Sequence, residues 1–385
     1  MGARMTNGTC PGFEDVMMMM PDANDTCPAD QCIIDQNGEC GHPPLTMHAY
    51  IVPVILALIT LIGLVGNSIV VFVIFYQGQL KTVTNYYIVN LAITDLAFLI
   101  ACAPFTAALY ATKDWMFGRF MCKFVFYLQQ MTAQTTCITL VLLAIDRYKI
   151  IMHPIESLYK RTEKRFCFVV LVIWISSGLL AAPLISVFDL KVELIECEHL
   201  LVYCTEQWEV WETKQFKFDF WHRSYVIYTA LVIYVIPLLV ISVCYSIILS
   251  HLWKQELPTD DSEAVLYQKR VVYRRRRTVT RMVLAVMFAF AICWFPIHVM
   301  NIWSRFDPCF YIYHDNSLVT AMMGVAHGLI YLNSSINPIL YAILGGNFRH
   351  HLRQMLARNP KMRKQSTSSI QHPHARLLGT KTTQI

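Results

Sequence analysis

Polar and ionisable side chains lie in the middle of several long apolar runs of this sequence. Asp95 and Asn67 each stand within such a run, and Asn337 begins the sequence Asn-Pro-Ile-Leu-Tyr near the end of another. A charged group at the centre of a bilayer costs roughly 2.5–3.5 kcal/mol on insertion scales, so these groups must face a protein interior. Asp95 could therefore bind a sodium ion or a proton, and a hydrogen-bonded structural aspartate is the alternative. The oxygen ligands available to it are those of Thr136, Asn333, Ser334 and Asn337.

A second group of chemically active residues ends the third apolar run. Asp146-Arg147-Tyr148 stands at its end and is followed by His153-Pro154-Ile155. The Arg147 guanidinium can pair with Asp146 or with partners on other helices, so the triplet predicts a two-state element. Such triplets are common, and an interfacial cluster of snorkelling side chains is the alternative.

Prolines lie inside several of the apolar runs. Cys293-Trp294-Phe295-Pro296 places a large aromatic ring next to a predicted helix kink, because proline removes a backbone hydrogen bond and clashes with the preceding turn. Four other runs contain Pro104, Pro183, Pro237 and Pro338. Trp294 is therefore placed where a bend can move it.

Seven apolar helices are predicted to position these residues. Of the 385 residues 55% are hydrophobic and 15% charged, whereas soluble domains carry about 25% charged residues. A hydrocarbon core of about 30 Å needs roughly 20 apolar residues in a helix. The sequence thus predicts an all-α fold, a seven-transmembrane helix bundle. The predicted spans are residues 50–76, 84–110, 119–150, 165–187, 224–251, 278–304 and 317–344.

Charge predicts the orientation of the bundle. Residues 1–48 contain one basic and seven acidic residues, whereas the segment after Leu344 contains eight basic residues and no acidic one. The positive-inside rule then places residues 345–385 in the cytoplasm and residues 1–48 outside the cell. Glycosylation sequons at Asn7 and Asn24 agree with an extracellular N-terminus. We therefore expect a multi-pass plasma-membrane protein, with residues 49–344 as the bundle, and no nucleic-acid partner despite a net charge of +6.

The thirteen cysteines divide between these compartments. Five lie inside predicted spans and are interpreted as small buried apolar residues: Cys102, Cys137, Cys167, Cys244 and Cys293. The others lie on the predicted outer side, where disulfides can form. Cys122 and Cys204 are the preferred pair, with Cys197 as the alternative partner of Cys122. The connectivity of the rest cannot be deduced, although a clamp between Cys40 and Cys309 is one candidate.

The motifs occur in order, one in each of several spans. With this combination of motifs, the chain resembles the rhodopsin-like (class A) G-protein-coupled receptors across residues 50–355. Within that class, four finer segments are similar to kisspeptin receptors, and galanin and allatostatin-A receptors share much of the pattern. The segments are Thr82–Tyr87, Cys102–Thr106, Trp115–Gly118, and Met121–Val125 followed by Gln129-Gln130. Gln134-Thr135-Thr136-Cys137 also fits the kisspeptin branch.

The resemblance implies roles for individual residues. Asn67, Asp95 and Asn337 would hold the interior polar site, and Pro237, Cys137 and Phe290 would repack on activation. Arg147 and Ile155 would contact the G protein, and the Ile155 side chain would fill an apolar pocket on that protein. The implied activation switch comprises Asp146, Arg147, Tyr148, Tyr245, Trp294, Pro296, Asn337, Pro338 and Tyr341.

Two departures from the family pattern matter. Arg274–Arg277 occupies the stretch where the family often has an acid that holds the arginine of the triplet, so we expect raised basal activity. No cysteine follows Phe348-Arg349, so the usual palmitoyl anchor is absent from this stretch. A short amphipathic eighth helix is expected there instead, resting on the interface.

Residue types at the predicted outer mouth narrow the ligand class. Gln129 and Gln130 are neutral where amine receptors need an acid, and residues 317–344 contain no lysine for retinal. The loop 187–222 carries eight acids against three lysines, which favours a cationic peptide, although a merely solvated loop is the alternative. Gln130, His298 and His327 are predicted to contact the ligand's amide end. The full predicted site is Gln129, Gln130, Tyr225, His298, Asn301, Arg305, His327 and Tyr331.

The resemblance thus implies a receptor for a secreted amidated neuropeptide. Kisspeptin-like activation of a Gq protein with calcium mobilisation is expected, and a galanin- or allatostatin-A-type receptor coupled to Gi is the alternative. Receptor kinases and arrestin are expected partners through Ser366–Ser369, and Thr383–Ile385 is a candidate PDZ ligand. No cofactor is expected besides the sodium ion. An enzyme is disfavoured because no cytoplasmic stretch exceeds about 40 residues, and a transporter because no repeat is evident.

Overall fold

Seven helical spans form the bundle in a computed structural model. It describes residues 47–76, 83–112, 114–154, 163–195, 199–208, 220–254, 263–307 and 317–344, with Phe348. The first three spans are Met47–Tyr76, Val83–Thr112 and Gly118–Met152. The fourth comprises Glu163–Ala181 and Pro183–Val187, and the fifth comprises Phe220–Thr229, a π-helical segment Ala230–Val235, and Ile236–Lys254. The sixth is Glu263–Phe306 and the seventh Ser317–Leu344.

These bounds confirm the predicted fold class, and most helix ends lie within a few residues of the predicted ones. The sixth span is the exception, because it begins at Glu263 and not near residue 278. Arg274–Arg277 therefore lies inside a continuous helix and not at its boundary. Lysine and arginine are good helix formers, so a helix can extend beyond its apolar part without a break.

The fifth span contains a local widening of the helix next to Pro237. The Ile236 amide donates to the Leu231 carbonyl, five residues earlier, at the end of the segment Ala230–Val235. A proline in a regular helix clashes with the carbonyl four residues before it, which here belongs to Ile233. A π-bulge moves that carbonyl away from the ring, so the proline explains why the bulge lies here.

A β-hairpin lies across one end of the bundle, in a stretch that the sequence analysis treated as a loop. Strand β1 (Phe188–Ile195) pairs antiparallel with β2 (His199–Glu206). A disulfide joins Cys204 on β2 to Cys122 at the start of the third span, with 5.6 Å between the Cα atoms. The predicted pair is therefore confirmed, and Cys197 is excluded as the partner of Cys122. We call this the hairpin end of the bundle.

The segment before the third span also holds the hairpin. The Trp115 amide donates to the Val202 carbonyl at 2.8 Å, and the Val202 amide donates to Asp114 Oδ1 at 2.9 Å. Phe188 stacks on Phe126 with ring centroids 4.1 Å apart. Because these contacts come from both sides of Cys122, the hairpin is held over the mouth of the bundle.

The helices bury their polar residues and expose apolar ones. Within the described part of the chain, five spans are long and apolar enough to cross a membrane: the first, second, fourth, fifth and sixth. The third and seventh spans carry most of the buried polar side chains, among them Thr135, Gln134, Asn333 and Asn337. Close packing supports this arrangement, since a Cβ on Gly63 would clash with the Ser335 hydroxyl.

The interpretation of the five span cysteines is correct for three of them. Cys102, Cys137 and Cys293 are buried, Cys244 is half-buried, and Cys167 is exposed on the outward face of the fourth span. The prediction for Cys167 was therefore wrong. The fourth span is apolar all round, so its sequence does not show which side faces the other helices.

Several predictions concern residues outside the described ranges. They are the sequons at Asn7 and Asn24, the G-protein contact Ile155, the clamp between Cys40 and Cys309, and the eighth helix with the tail. They stay predictions.

Candidate functional site

Three spans each present two polar or aromatic side chains one helical turn apart, so that each pair lies on one face of its helix. The pairs are Gln130 with Gln134, Trp294 with His298, and His327 with Tyr331. Five of these six residues belong to the predicted ligand site or switch. Gln134 does not, although its spacing from Gln130 on the same face was a signal in the sequence that it belongs there.

The pair on the seventh span is hydrogen-bonded to the second span. Tyr110 and His327 Nδ1 are 2.8 Å apart, and the hydroxyls of Thr106 and Tyr331 are 2.6 Å apart. The Tyr331 ring also stacks on Phe98, with centroids 4.8 Å apart. We call Thr106, Tyr110, His327 and Tyr331 the paired wall. Two predicted ligand contacts, His327 and Tyr331, are thus engaged within the protein.

Six polar and aromatic side chains on the third, fifth and sixth spans differ from the paired wall. Each of the six carries at least one buried polar atom that has no hydrogen-bond partner among the described residues. Leaving a buried polar group unpaired costs about 1–3 kcal/mol. We call this set the unpaired wall: Gln130, Gln134, Tyr225, Tyr228, Trp294 and His298.

Gln134 is the most deeply buried member of the unpaired wall. Its side chain is 2% exposed, and neither its amide nitrogen nor its amide oxygen forms a hydrogen bond with a residue in the described ranges. The Tyr228 hydroxyl lies close to the Gln134 side chain, but the geometry of the pair is not that of a hydrogen bond. Both residues were missed as site residues by the sequence analysis.

Aromatic contacts lie within the unpaired wall and between it and Tyr234 on the fifth span. Trp294 lies 6.0 Å from His298, and Tyr234 lies 5.0 Å from His298 between ring centroids. Tyr225 and Tyr228 are 6.0 Å apart.

A charged cluster lies where the hairpin meets the fifth span. Glu206 Oε2 accepts hydrogen bonds from His222 Nε2 at 2.6 Å and from Trp208 Nε1 at 2.8 Å. Burial raises the pKa of the Glu206 carboxyl, but the hydrogen bonds from His222 and Trp208 and the charge of Arg305 lower it more, so the net pKa lies below its usual range. We call Glu206, Trp208, His222 and Tyr225 the rim cluster.

The remaining predicted ligand residues lie near this region and are half-buried: Gln129, Asn301 and Arg305. The Gln129 and Asn301 backbone carbonyls accept hydrogen bonds from Thr132 and Ser304. Arg305 acts on Glu206 by its charge. Arg305 thus belongs beside the rim cluster and not beside the unpaired wall.

A second charged site lies at the start of β1. Asp189 pairs with Arg119 at 2.7 Å and with Lys123 at 3.7 Å. The backbone hydrogen bond from Leu190 and the two cations lower the pKa of the Asp189 carboxyl. This site attaches β1 to the third span, away from the rim cluster on β2.

The interior polar residues meet below Trp294. Asn337 Nδ2 donates to Asp95 Oδ2 at 2.9 Å, and Asn67 Nδ2 donates to the carbonyls of Gly63 and Ser334 at 2.9 Å. In the described part of the chain, Oδ1 of Asn67, Asp95 and Asn337 accepts no hydrogen bond. A small cavity beside them is lined by Phe98, Thr132, Ala133, Thr136, Trp294, Asn333 and Ser334.

Four of the predicted switch residues lie at the end opposite the hairpin: Asp146, Arg147, Tyr245 and Tyr341. Arg147 is 9% exposed and lies 3.8 Å from Asp146, and its charge also acts on Tyr245. The hydroxyls of Tyr245 and Tyr341 are buried without hydrogen-bond partners in the described ranges. The structure thus places two tyrosine hydroxyls at the same end as an arginine that is already paired with its neighbour.

Further residues with predicted roles in activation lie elsewhere in the bundle. Tyr148 lies edge-on to His153, with ring centroids 6.1 Å apart. Pro296 and Pro338 lie inside the sixth and seventh spans. Phe290 is buried next to Trp294, at 5.8 Å between ring centroids. Cys137 faces the Val232 carbonyl in the π-helical segment.

Comparison with known proteins gives a consistent result. Residues 66–341 match the model of the seven-transmembrane receptor family, rhodopsin family. The KiSS-1 receptor of Rattus norvegicus is 34% identical over 91% of this chain and 85% of its own length. The KiSS-1 receptor of Homo sapiens is 36% identical over 83% of the chain and 77% of its own. The allatostatin-A receptor of Bombyx mori is 35% identical, over 80% and 79% respectively.

Proposed function

This chain belongs to the rhodopsin family of seven-transmembrane receptors, and on that premise we propose that it is a kisspeptin-type receptor for a basic, amidated peptide. Family membership confirms two sequence predictions: the chain is a multi-pass membrane protein, and it is a signalling receptor and not an enzyme. The relatives named KiSS-1 receptors support the kisspeptin branch.

The unpaired wall is the observation that carries this proposal. Its buried atoms include amide and ring N–H donors, an amide oxygen and hydroxyls, and none of its members is a lysine or arginine. A terminal carboxamide offers both donors and an acceptor without a charge, so it can satisfy such atoms. A terminal carboxylate would be buried without a cation, which is costly.

The proposed orientation places the hairpin end outside the cell. The excess of acids in residues 1–48 and of basic residues in 345–385 supports it. The disulfide between Cys122 and Cys204 supports it as well, because disulfides form in oxidising compartments. The protein would then lie in the plasma membrane, open to a secreted ligand, with Asn7 and Asn24 glycosylated.

In the proposed mechanism the ligand acts through Trp294. This ring lies beside His298 in the unpaired wall and also lines the cavity next to Ser334. Trp294 therefore stands between the ligand region and the interior polar site. A ligand that moves it favours one bundle state, and the G protein favours the same state from the other end.

A sodium ion fits the interior polar site. Hard cations prefer oxygen ligands, and the three buried Oδ1 atoms of Asn67, Asp95 and Asn337 accept no hydrogen bond from the described residues. Thr136, Asn333 and Ser334 offer further oxygens at the cavity. A bound sodium ion would supply positive charge beside Asp95 and so favour the bundle state that holds these oxygens together.

At the opposite end, Arg147 would leave Asp146 and approach Tyr245 and Tyr341. Their unpartnered hydroxyls support this proposal, because each would gain a hydrogen bond to a cation. The opened cleft would bind a G protein, with Arg147 and Ile155 in contact with it. We expect Gq coupling, followed by receptor kinases acting on Ser366–Ser369 and by arrestin, and Thr383–Ile385 remains a candidate PDZ ligand.

A panel of amidated peptides tests the proposal in cells that express the receptor. Calcium and cAMP are recorded together, and each peptide is paired with its free-acid form. Kisspeptin-type function predicts a calcium response to peptides ending in an amidated Arg-Phe or Arg-Tyr pair, and little response to the acids. Exclusive activation by galanin- or allatostatin-A-type peptides with a fall in cAMP would support the alternative branch.

Basal activity tests the missing acid near the start of the sixth span. The positive charge of Arg274–Arg277 stands where an acid would hold Arg147. Arg276→Glu is therefore expected to lower ligand-free signalling at equal surface expression. Equal ligand-free signalling in the two proteins would contradict this expectation.

A further inference from the structure

Glu206 occupies a fixed position at the mouth of the bundle. It pairs with Phe188 at the open end of the hairpin and follows the disulfide residue Cys204 by two positions. Its hydrogen bond to His222 attaches it to the first turn of the fifth span. Three independent constraints therefore hold this carboxylate above the region between the fifth and sixth spans.

The Glu206 carboxylate retains an unused oxygen. Both hydrogen bonds, from His222 Nε2 and Trp208 Nε1, go to Oε2. Oε1 forms no hydrogen bond with any residue that the structure describes, and the side chain keeps 26% of its surface exposed. A carboxylate can accept several hydrogen bonds through two oxygens. A further donor can therefore bind without displacing His222 or Trp208.

Aromatic faces surround this carboxylate. The Trp208 ring lies 5.3 Å from His222 and 5.0 Å from Tyr225 between centroids. Cations bind favourably over the faces of tryptophan and tyrosine. An anion beside such rings favours a cation over a neutral or acidic group. The lowered pKa of Glu206 agrees, because the carboxylate stays ionised in mildly acidic solution.

Among the residues that the structure describes, the two arginines near this site are engaged elsewhere or act at longer range. The Arg223 guanidinium lies over the Phe306 ring at 5.4 Å. Arg305 lowers the Glu206 pKa by its charge, and the two side chains form no ion pair within 4.0 Å in the described structure. The charge of Arg305 thus helps to keep the Glu206 carboxylate ionised.

We infer that Glu206 is the subsite for a cationic side chain of the peptide, with Trp208 and Tyr225 as its aromatic walls. This inference rests on the proposed function. It assigns the role to one of the eight acids in the loop 187–222, whereas the sequence indicated only that the loop is acidic. Tyr225 belongs to both the rim cluster and the unpaired wall, and its ring lies 6.0 Å from Tyr228. The cation subsite and the amide region are thus contiguous, which suits a ligand whose cationic residue stands next to its amidated end.

A double-mutant cycle between receptor and ligand tests this inference. The probes are a decapeptide ending in Arg-Phe amide and the same peptide with citrulline in place of the arginine, which removes the charge and keeps the shape. The wild-type receptor is expected to prefer the arginine peptide at least about tenfold, because coupling energies of close charge pairs exceed 1.5 kcal/mol. In Glu206→Gln the preference should fall to about twofold or less.

Two control variants keep the result specific. Asp189→Asn neutralises another hairpin acid that is already paired with Arg119 and Lys123, and it should retain the wild-type preference. Trp208→Leu leaves the bond between His222 and Glu206 and removes one aromatic wall. It should reduce the preference by about threefold, and it provides the test if Glu206→Gln fails to reach the cell surface.

The outcomes separate the inference from the proposed function. Equal weakening of both peptides in Glu206→Gln would show a structural role only and would overturn the inference. Equal potency of both peptides on the wild-type receptor would also overturn it, while the peptide function stands. If the wild-type receptor responds to neither peptide but answers another amidated peptide, the choice of cation next to the amide is wrong.

Discussion

The paired wall and the unpaired wall use similar residue types in opposite ways. On the second and seventh spans, the polar groups of Thr106, Tyr110, His327 and Tyr331 satisfy one another across the helix interface. On the third, fifth and sixth spans, glutamines, tyrosines, a tryptophan and a histidine are buried with atoms that have no partner in the described structure. The first arrangement stabilises the bundle, whereas the second costs stability.

This difference indicates which wall serves the ligand. A hydrogen bond between two protein groups is worth about 1 kcal/mol net, and an unsatisfied buried group costs about 1–3 kcal/mol. A ligand that pairs with the unpaired wall removes that cost on binding, whereas one that pairs with the paired wall must first break existing bonds. Binding sites commonly give up stability for function.

The largest expected effect comes from the unpaired wall. Gln130→Ala should reduce the potency of the amidated peptide by about 10- to 100-fold, since a buried ligand hydrogen bond is lost. The thermal stability of the ligand-free receptor should not fall. His327→Ala, in the paired wall, should lower the melting temperature. If the pair of variants shows the reverse pattern, the assignment of the two walls is wrong.

The interior polar site is the next test, because it also contains unpaired oxygens. Asp95→Asn should abolish the effect of sodium on agonist affinity, which in the wild type should be a shift of about fivefold or more. Agonist affinity is measured in sodium buffer and in a buffer with an equal concentration of a large organic cation. A sodium effect that persists in Asp95→Asn would remove the ion from this site.

Gln134→Leu should measure how much stability the ligand-free receptor loses by burying the Gln134 amide without a hydrogen bond. The substitution replaces a fully buried amide by an apolar side chain of similar size, so the ligand-free receptor should become more stable by about 1–3 kcal/mol. Thermal unfolding of the receptor in detergent measures the change, with Leu140→Ala as a control that should destabilise. A loss of stability in Gln134→Leu would mean that its amide is satisfied in the native protein.

Tyr110→Phe should have a smaller effect of opposite sign. It removes the hydroxyl that pairs with His327 Nδ1 and nothing else, and should cost about 1 kcal/mol of stability. Thr106→Val, which leaves the Tyr331 hydroxyl without its partner, should behave alike. Unchanged stability in both variants would show that the paired wall does not support the bundle.

The smallest effect is expected at the hairpin, away from both walls. The pKa of Asp189 is lowered in the folded protein, so its ion pairs stabilise at neutral pH, and this contribution is lost as the pH falls through the folded pKa. Asp189→Asn should therefore destabilise slightly at pH 7 and not at low pH. Melting temperatures between pH 3 and 7 measure this. A difference that grows toward low pH would have the wrong sign.

Much of the site was predictable, because its signals are local. Asp95, Arg147 and Trp294 were identified from polar or proline-linked positions in apolar runs, and the structure brings Arg147 to the same end as Tyr245. Gln130 and His298 were predicted from helical spacing. Gln134, on the third span, and Tyr228, on the fifth, were missed: the spacing of Gln134 from Gln130 placed the two on one face, but residue types alone do not reveal which polar groups lack a partner on a neighbouring helix.

The hairpin was not predicted, for a different reason. Residues 188–194 of its first strand alternate between apolar and charged side chains, but the second strand does not alternate. Contacts with the mouth of the bundle and the Cys122 disulfide hold the hairpin in place. The π-helical segment before Pro237 likewise depends on how the fifth span packs. These features come from contacts between distant parts of the chain.

The amino-acid sequence by itself determined the number of spans, the approximate bounds of all but the sixth, and the polar residues placed within them, because each follows from the solvation of side chains along a local helix. Only the tertiary structure decided which polar groups satisfy one another. Tyr110 and His327 are 217 positions apart in sequence, and they pair because the second and seventh helices pack together. The same packing leaves the Gln134 amide without a hydrogen bond to any residue that the structure describes, since hydrogen bonding depends on geometry between helices and not on residue type.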